Sequence, residues 1–184
     1  MNFLASPAQL RASLLRWSLV CVPLCLLLGF LSGKASVSGP DNPWFAALVK
    51  PAAYPPPLVF PLVWSTLYVM MGLALAMVIA ARGARGRTVA AGAFAVQFAL
   101  NLAWSPVFFG GHHITGGLIV IGLLDLALIA TIFFFRRIRP LAAWLLVPYL
   151  VWVLFATYLN WAFLEANPAL DGAEAPAAVE RFEI

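Results

Sequence analysis

Three groups of residues in this 184-residue chain have the types and spacing to meet a ligand. Gln97, Asn101, Trp104 and Phe108 recur at i, i+4, i+7 and i+11, so on a helix they share one face. Trp152, Ala156 and Asn160 repeat the theme at i, i+4 and i+8. Tyr54, Phe60, Trp64 and Tyr68 gather where the proline-dense stretch after Lys50 runs into an uncharged helix. Aromatic walls with a few amides suit a flat apolar ligand whose polar edge needs orienting. The same residues suit a second role. Gln and Asn are common interhelical hydrogen-bonding residues, and a small residue such as Ala156 marks either a concavity or a close helix contact. Spacing alone leaves both roles open.

The remaining candidates are single residues. Asp125 is the only acid inside an apolar block, and an intramembrane carboxylate is a functional candidate by default. Spacing does not place a partner for it. His112 and His113 sit in a glycine-rich turn, where an imidazole could ligate haem iron but adjacent histidines read more simply as solvated. No HExxH, CxxC, GxSxG or phosphate-loop pattern occurs, and Ser65, Thr66 and Ser105 have no evident His–acid partners. Hydrolysis and a metal centre are therefore not expected. Cys21 and Cys25, at i, i+4 in the first apolar block, read as small apolar fillers rather than a redox pair.

The elements that must position these residues are set by composition. The chain is 64% hydrophobic and only 10% charged, against about 25% charged in soluble domains. About 20 apolar residues span a bilayer as a helix. Five blocks meet or approach that length: 17–33, 58–81, 88–109, 114–135 and 141–164. The first could be mistaken for a signal peptide, but its apolar core runs past the usual signal length. The expected fold is an all-α membrane protein, one bundle of five transmembrane helices over 1–164. The tail, 165–184, carries five of the seven acids among Ala and Pro and is expected to be solvated and disordered. Short arginine turns between the second and third spans, and between the fourth and fifth, predict antiparallel neighbours.

Between Lys50 and Pro57 the backbone is expected to be stiff. Each proline fixes its own φ and holds the residue before it out of the α region, so Pro55-Pro56-Pro57 stays extended. Pro61 falls in the first turn of the next helix, where its missing N–H costs least. Pro106 leaves the Leu102 carbonyl without its helical donor, and another group must satisfy it. If the spans alternate, Arg11, Arg16, Arg82, Arg85, Arg87, Arg136, Arg137 and Arg139 share one side, and Lys34, Lys50 and Arg181 the other. The positive-inside bias then places the N-terminus inside and the C-terminus outside. The net charge of +4 comes from these short clusters and gives no support to nucleic-acid binding.

Five segments together resemble the TspO/MBR family, that of the translocator protein and the bacterial tryptophan-rich sensory proteins. They are Trp44-Phe45, KPxxxPP over Lys50 to Pro56, WxxLYxxMG over Trp64 to Gly72, QxxLNxxWxPxFFG over Gln97 to Gly110, and PYLxWxxFATxLN over Pro148 to Asn160. The resemblance covers about three quarters of the chain. It implies a five-helix membrane protein, usually a homodimer, with a cavity that binds porphyrins such as protoporphyrin IX or haem and synthetic benzodiazepine-type or isoquinoline ligands. No cofactor is required. Matching positions make Trp64, Asn101, Trp152 and Ala156 the cavity lining, joined by Tyr68, Trp104 and Asn160 from the same motifs. Lys50, Pro51, Pro55 and Pro56 form the lid. Some members degrade protoporphyrin in light, which would give Trp64 and Trp152 redox roles. A bundle that serves partner helices without a small ligand is the structural alternative.

The chain also departs from the family pattern. Ala53 and Leu58 stand where Trp is frequent, which weakens lid contacts with a ligand. Gly116 and Val120 replace Trp and Asp found in some members, so Asp125 inherits no role. The sterol-recognition pattern after the fifth span is not met, since LNWAFLE offers Trp161 and no nearby base, and cholesterol is not expected as a partner. Helical spans favour a bacterial inner membrane over an outer one.

Overall fold

The computed structural model describes residues 7–173. Its helices are α1 (Pro7–Ala35), the short α2 (Pro43–Ala47), α3 (Val59–Ala80), α4 (Arg87–Ser105), α5 (Ile114–Ile138) and α6 (Pro140–Ala166). A π-helical turn, Pro106–Gly110, extends α4, and a 3-10 turn, Pro168–Leu170, follows α6. No strand occurs among the described residues. Five helices (α1, α3, α4 with its π turn, α5 and α6) are long and apolar enough to cross a bilayer. The chain is thus an all-α, multi-pass integral membrane protein.

The first helix begins ten residues before the apolar block expected at Trp17, because Ala, Gln, Leu and Arg before it are good helix formers. α3 starts at Val59, which puts Pro61 in its first turn as expected. Neighbour relations only partly follow the arginine turns. α5 and α6 pack along their length, and so do α4 and α5. α3, however, packs chiefly on α1 and α6 and only lightly on α4, despite the short connection through Arg82–Arg87. Close packing on α1 and α6 therefore outweighs loop length in choosing the neighbours of α3.

Two glycines explain how closely α1 and α3 approach. A Cβ on Gly72 would sit 2.5 Å from the Val22 Cα on α1. A Cβ on Gly29 would sit 2.3 Å from the Tyr68 ring. With no hydrophobic force to drive helix association in lipid, such backbone approach supplies the van der Waals contact that does. Gly72→Ala should therefore destabilise the bundle by about 1–3 kcal/mol, the usual overpacking cost. Gly122→Ala, where nothing lies within 4 Å, is the matched control. Thermal unfolding in detergent should show a lower Tm for the first variant and no loss for the second; equal Tm values would disprove the close-contact assignment.

Candidate functional site

The two amides on the α4 face are held in one directed line of hydrogen bonds. The Tyr68 hydroxyl donates to Asn101 Oδ1 at 3.0 Å. Asn101 Nδ2 donates to the Tyr149 hydroxyl at 2.9 Å, and that hydroxyl donates to Gln97 Oε1 at 3.1 Å. The line joins α3, α4 and α6; Asn101, Tyr149 and Gln97 are buried and Tyr68 is half-buried. Every donor in it points the same way, so the far end, Gln97 Nε2, is left buried without a protein partner. Trp64 covers the near end, stacking on Tyr68 with centroids 5.5 Å apart and meeting Tyr149 edge-on at 6.2 Å. The sequence motifs point to Asn101, Trp64 and Tyr68 but do not mark Tyr149 as a site residue. A tyrosine in the Pro148-Tyr149 pair inside an apolar span is the signal that could have found it.

Trp104 and Asn160 form a second unit. Trp104 Nε1 donates to Asn160 Oδ1 at 3.1 Å, and Asn160 Nδ2 donates to the Ile114 carbonyl at 2.9 Å. Trp104 also stacks on Phe108 at 4.9 Å. The polar groups of both residues are thus spent on interhelical bonds among α4, α5 and α6. Gly117 permits this, since a Cβ there would lie 2.9 Å from Asn160 Oδ1. The Leu102 carbonyl released by Pro106 is taken by the Ser32 hydroxyl of α1 at 2.6 Å. Pro106 thereby ties α4 to α1 and starts the π turn that buries Phe108 and Phe109.

The third unit is the lid and its aromatic floor. Trp152 meets Phe60 edge-on at 5.9 Å, Phe60 stacks on Tyr54 at 5.4 Å, and Tyr54 meets Phe163 at 5.7 Å. Tyr54 therefore supplies the ring that Ala53 does not. Trp152 Nε1 is buried with no protein partner. Ala156, one turn on, is half-buried and packs with Trp64, Trp104 and Trp152 against the main core. Of the lid residues, Lys50 is anchored inward. Its ammonium donates to the carbonyls of Phe45 and, at 2.9 Å, Leu48, and lies 4.2 Å above the Phe45 ring. Burial holds its pKa below the usual lysine range. Pro51 and Pro55 are half-buried and Pro56 is exposed, with turns closed by Tyr54 N–H to the Pro51 carbonyl and Val59 N–H to the Pro56 carbonyl.

The expectation of a disordered tail is corrected at its start, which is ordered through residue 173; residues 174–184 lie outside the described residues. Asn167 pairs with both backbone groups of Val49, accepting from its N–H at 2.7 Å and donating to its carbonyl at 3.0 Å. Trp44 Nε1 donates to the Leu170 carbonyl at 3.0 Å, and Gly172 N–H donates to the His112 carbonyl at 2.8 Å. Asp171 accepts from the Thr115 N–H and hydroxyl. Burial pushes the Asp171 carboxyl up, but the hydrogen bonds from Thr115 and Ile114 and the nearby His113 outweigh it and hold it below the usual range. Asn42 completes the fastening, capping α2 through Phe45 N–H and donating to the Phe109 carbonyl at 3.1 Å. Neither Asn42 nor Asn167 stands out in the sequence, since a lone Asn beside proline reads only as a turn.

The structure also places the single-residue candidates. His112 is half-buried and stacks on Trp44 with centroids 4.9 Å apart, while His113 is exposed. Asp125, for which spacing places no partner, accepts at Oδ2 from the Thr157 hydroxyl on α6 at 2.8 Å, and its Oδ1 is buried without a protein partner. Among the described residues no group of three or more His, Cys, Asp or Glu side chains could hold a metal.

Known proteins give a consistent comparison. Residues 21–165 match the model of the TspO/MBR family. The chain is 43% identical over 151 residues to the tryptophan-rich protein TspO of Chlorobaculum tepidum, covering 81% of this chain and 94% of the relative. It is 38% identical to the human translocator protein over 147 residues, or 79% and 87% of the two chains. The tryptophan-rich sensory protein of Cereibacter sphaeroides is 38% identical over 148 residues, 77% and 91% of the respective lengths.

The hydrogen-bond line and the lid fastening can each be tested by one substitution. Tyr149→Phe removes one hydroxyl but strands both Gln97 Oε1 and Asn101 Nδ2, so it should cost about 1–3 kcal/mol or more, as buried unpaired groups do. Urea unfolding in detergent measures it, and a variant as stable as the parent would show that the line contributes nothing. Asn167→Ala should loosen the lid without unfolding the bundle. The Val49 amide should then exchange with deuterium roughly tenfold faster or more, while amides in α4 and α5 keep their protection. Unchanged Val49 exchange would refute the fastening role.

Proposed function

The chain belongs to the TspO/MBR family, and from that premise we propose that it binds a porphyrin between the lid and helices α3, α4 and α6, and senses, sequesters or moves such tetrapyrroles in the membrane. The single observation that carries this reading is the pair of buried N–H donors, Trp152 Nε1 and Gln97 Nε2, left without protein partners beside aromatic walls. A buried donor without an acceptor costs about 1–3 kcal/mol. A flat macrocycle with acceptor groups would relieve that cost while its faces lie against Trp64 and Trp152. Protoporphyrin IX and haem fit this chemistry. His112 is held against Trp44, so binding is assigned to walls and donors rather than to an axial imidazole.

Entry requires movement, because the rings of Tyr54 and Phe60 now cover Trp152. The lid moves as a unit. Lys50 locks it internally, while Asn42, Trp44 and Asn167 hold it to the bundle. We place the lid outside, with the N-terminus inside, in a bacterial inner membrane, and take the working form to be a homodimer.

Titration of the purified protein with protoporphyrin IX, followed by tryptophan-fluorescence quenching, tests the proposal. Trp64→Ala and Asn101→Ala should each raise Kd about tenfold or more while circular dichroism stays helical. Parental affinity in both variants would sink the assignment. Illumination during the titration separates binding from chemistry. Loss of the porphyrin Soret band that Trp64→Phe abolishes would make the protein a photo-oxidative enzyme instead.

A further inference from the structure

The end of the bundle opposite the lid has its own chemistry. Eight of the eleven bases lie in the N-terminal stretch and the turns Arg82–Arg87 and Arg136–Arg139, and none of the seven acids lies in any of them. Between the start of α4 and the end of α5 two of these bases border a cleft of about 420 Å³. Arg85 and Arg137 stand at its edge, and Val89, Phe134 and Ile138 give it an apolar wall. That volume lies within the range of about 300–1,000 Å³ usual for small-molecule sites.

Several features make this a built site rather than a gap between helices. Gly83 and Gly86 have φ of +79° and +80°, a conformation strained for other residues, and the tight turn they make carries Arg85 to the cleft. Arg87 fastens the turn by donating to the Ile79 carbonyl at 3.3 Å. Arg137 is steadied over the Phe133 ring at 4.2 Å, a contact that leaves its N–H donors unspent. Neither the Arg85 nor the Arg137 side chain has an ion pair or hydrogen bond among the described residues. The first turn of α4 carries neither acid nor side-chain cap, so its positive end adds to the field.

Position selects the occupant. α4 with its π turn is 24 residues, about 36 Å at 1.5 Å per residue, so its ends stand at headgroup level across a hydrocarbon core of about 30 Å. Val89 and Phe133 are exposed on the lipid-facing surface beside the cleft. We infer that this cleft binds the phosphate headgroup of an anionic phospholipid, with Arg85 and Arg137 on the phosphate and the first acyl methylenes along Val89 and Phe134. The inference is independent of the porphyrin reading and of which side of the membrane this end faces.

The test is native mass spectrometry of the full-length protein with phosphatidylglycerol and phosphatidylcholine of identical acyl chains. The parent should retain phosphatidylglycerol preferentially. An R85Q/R137Q variant should lose that preference about tenfold or more, since it removes the charge-assisted hydrogen bonds of both guanidinium groups to the phosphate. R11Q/R16Q removes the same charge from the same end of the bundle and should keep it. Equal retention of the two lipids by the parent, or equal loss in both double variants, would overturn a specific site in favour of diffuse attraction. Displacement of the lipid by millimolar inorganic phosphate would also overturn the lipid assignment and make the cleft a free-phosphate site. A helical circular dichroism spectrum for each variant keeps misfolding from imitating the loss.

Discussion

In hydrocarbon, a polar group that finds no partner inside the protein costs several kcal/mol, and this constraint organises the bundle. It fixes the contacts of α1, whose Ser32 meets the carbonyl released by Pro106. It links three helices through Tyr68, Asn101, Tyr149 and Gln97. It also commits Trp104 and Asn160 to one another across α4 and α6. Close packing at Gly29, Gly72 and Gly117 is the complement of these bonds, since backbones must approach before short side chains can reach across. The rule is left unmet at four buried side-chain atoms among the described residues, Ser13 Oγ, Asp125 Oδ1, Gln97 Nε2 and Trp152 Nε1, of which the last two are N–H donors.

The lid end obeys the same rule with different means. Its backbone is irregular, so side chains replace the missing helical bonds. Asn167 pairs with Val49 as a neighbouring strand would, Asn42 serves both a helix start and a carbonyl, and Lys50 caps two carbonyls while covering a ring. The segment after α6 is thus a structural part of the lid rather than a trailing end. Its Asp171 contact belongs to the ionised carboxylate. With that carboxyl held below its ordinary range, the contribution is present above the unfolded pKa and is lost as pH falls through the folded value.

The two ends consequently differ in what they can recognise. At the lid, Lys50 and Asp171 are spent on internal bonds, and rings and isolated N–H donors lie beneath them. At the arginine end, the cleft between α4 and α5 keeps two charges without internal partners beside an apolar wall. A flat apolar molecule with a polar edge suits the first, and an anion tethered to an acyl chain suits the second.

Much of this is legible in the residues alone. Length and hydropathy determine five spans, because the bilayer thickness leaves a helix no other way to bury about 20 apolar residues. Pro61 at a helix start and the orphaned Leu102 carbonyl follow from proline geometry, and the motifs around Trp64, Asn101 and Trp152 identify the family. Local pattern does not decide which partner each amide takes. Asn101 and Asn160 look alike as residues on apolar helices, yet one faces two tyrosines and the other a tryptophan and a carbonyl. Nor does it show that α3 prefers α1 and α6 to its neighbour through a short turn, that Asp125 meets Thr157, or that Asn167 closes on a residue 118 positions earlier. These are choices among long-range partners of equal local merit, and only the packing of helix against helix distinguishes them.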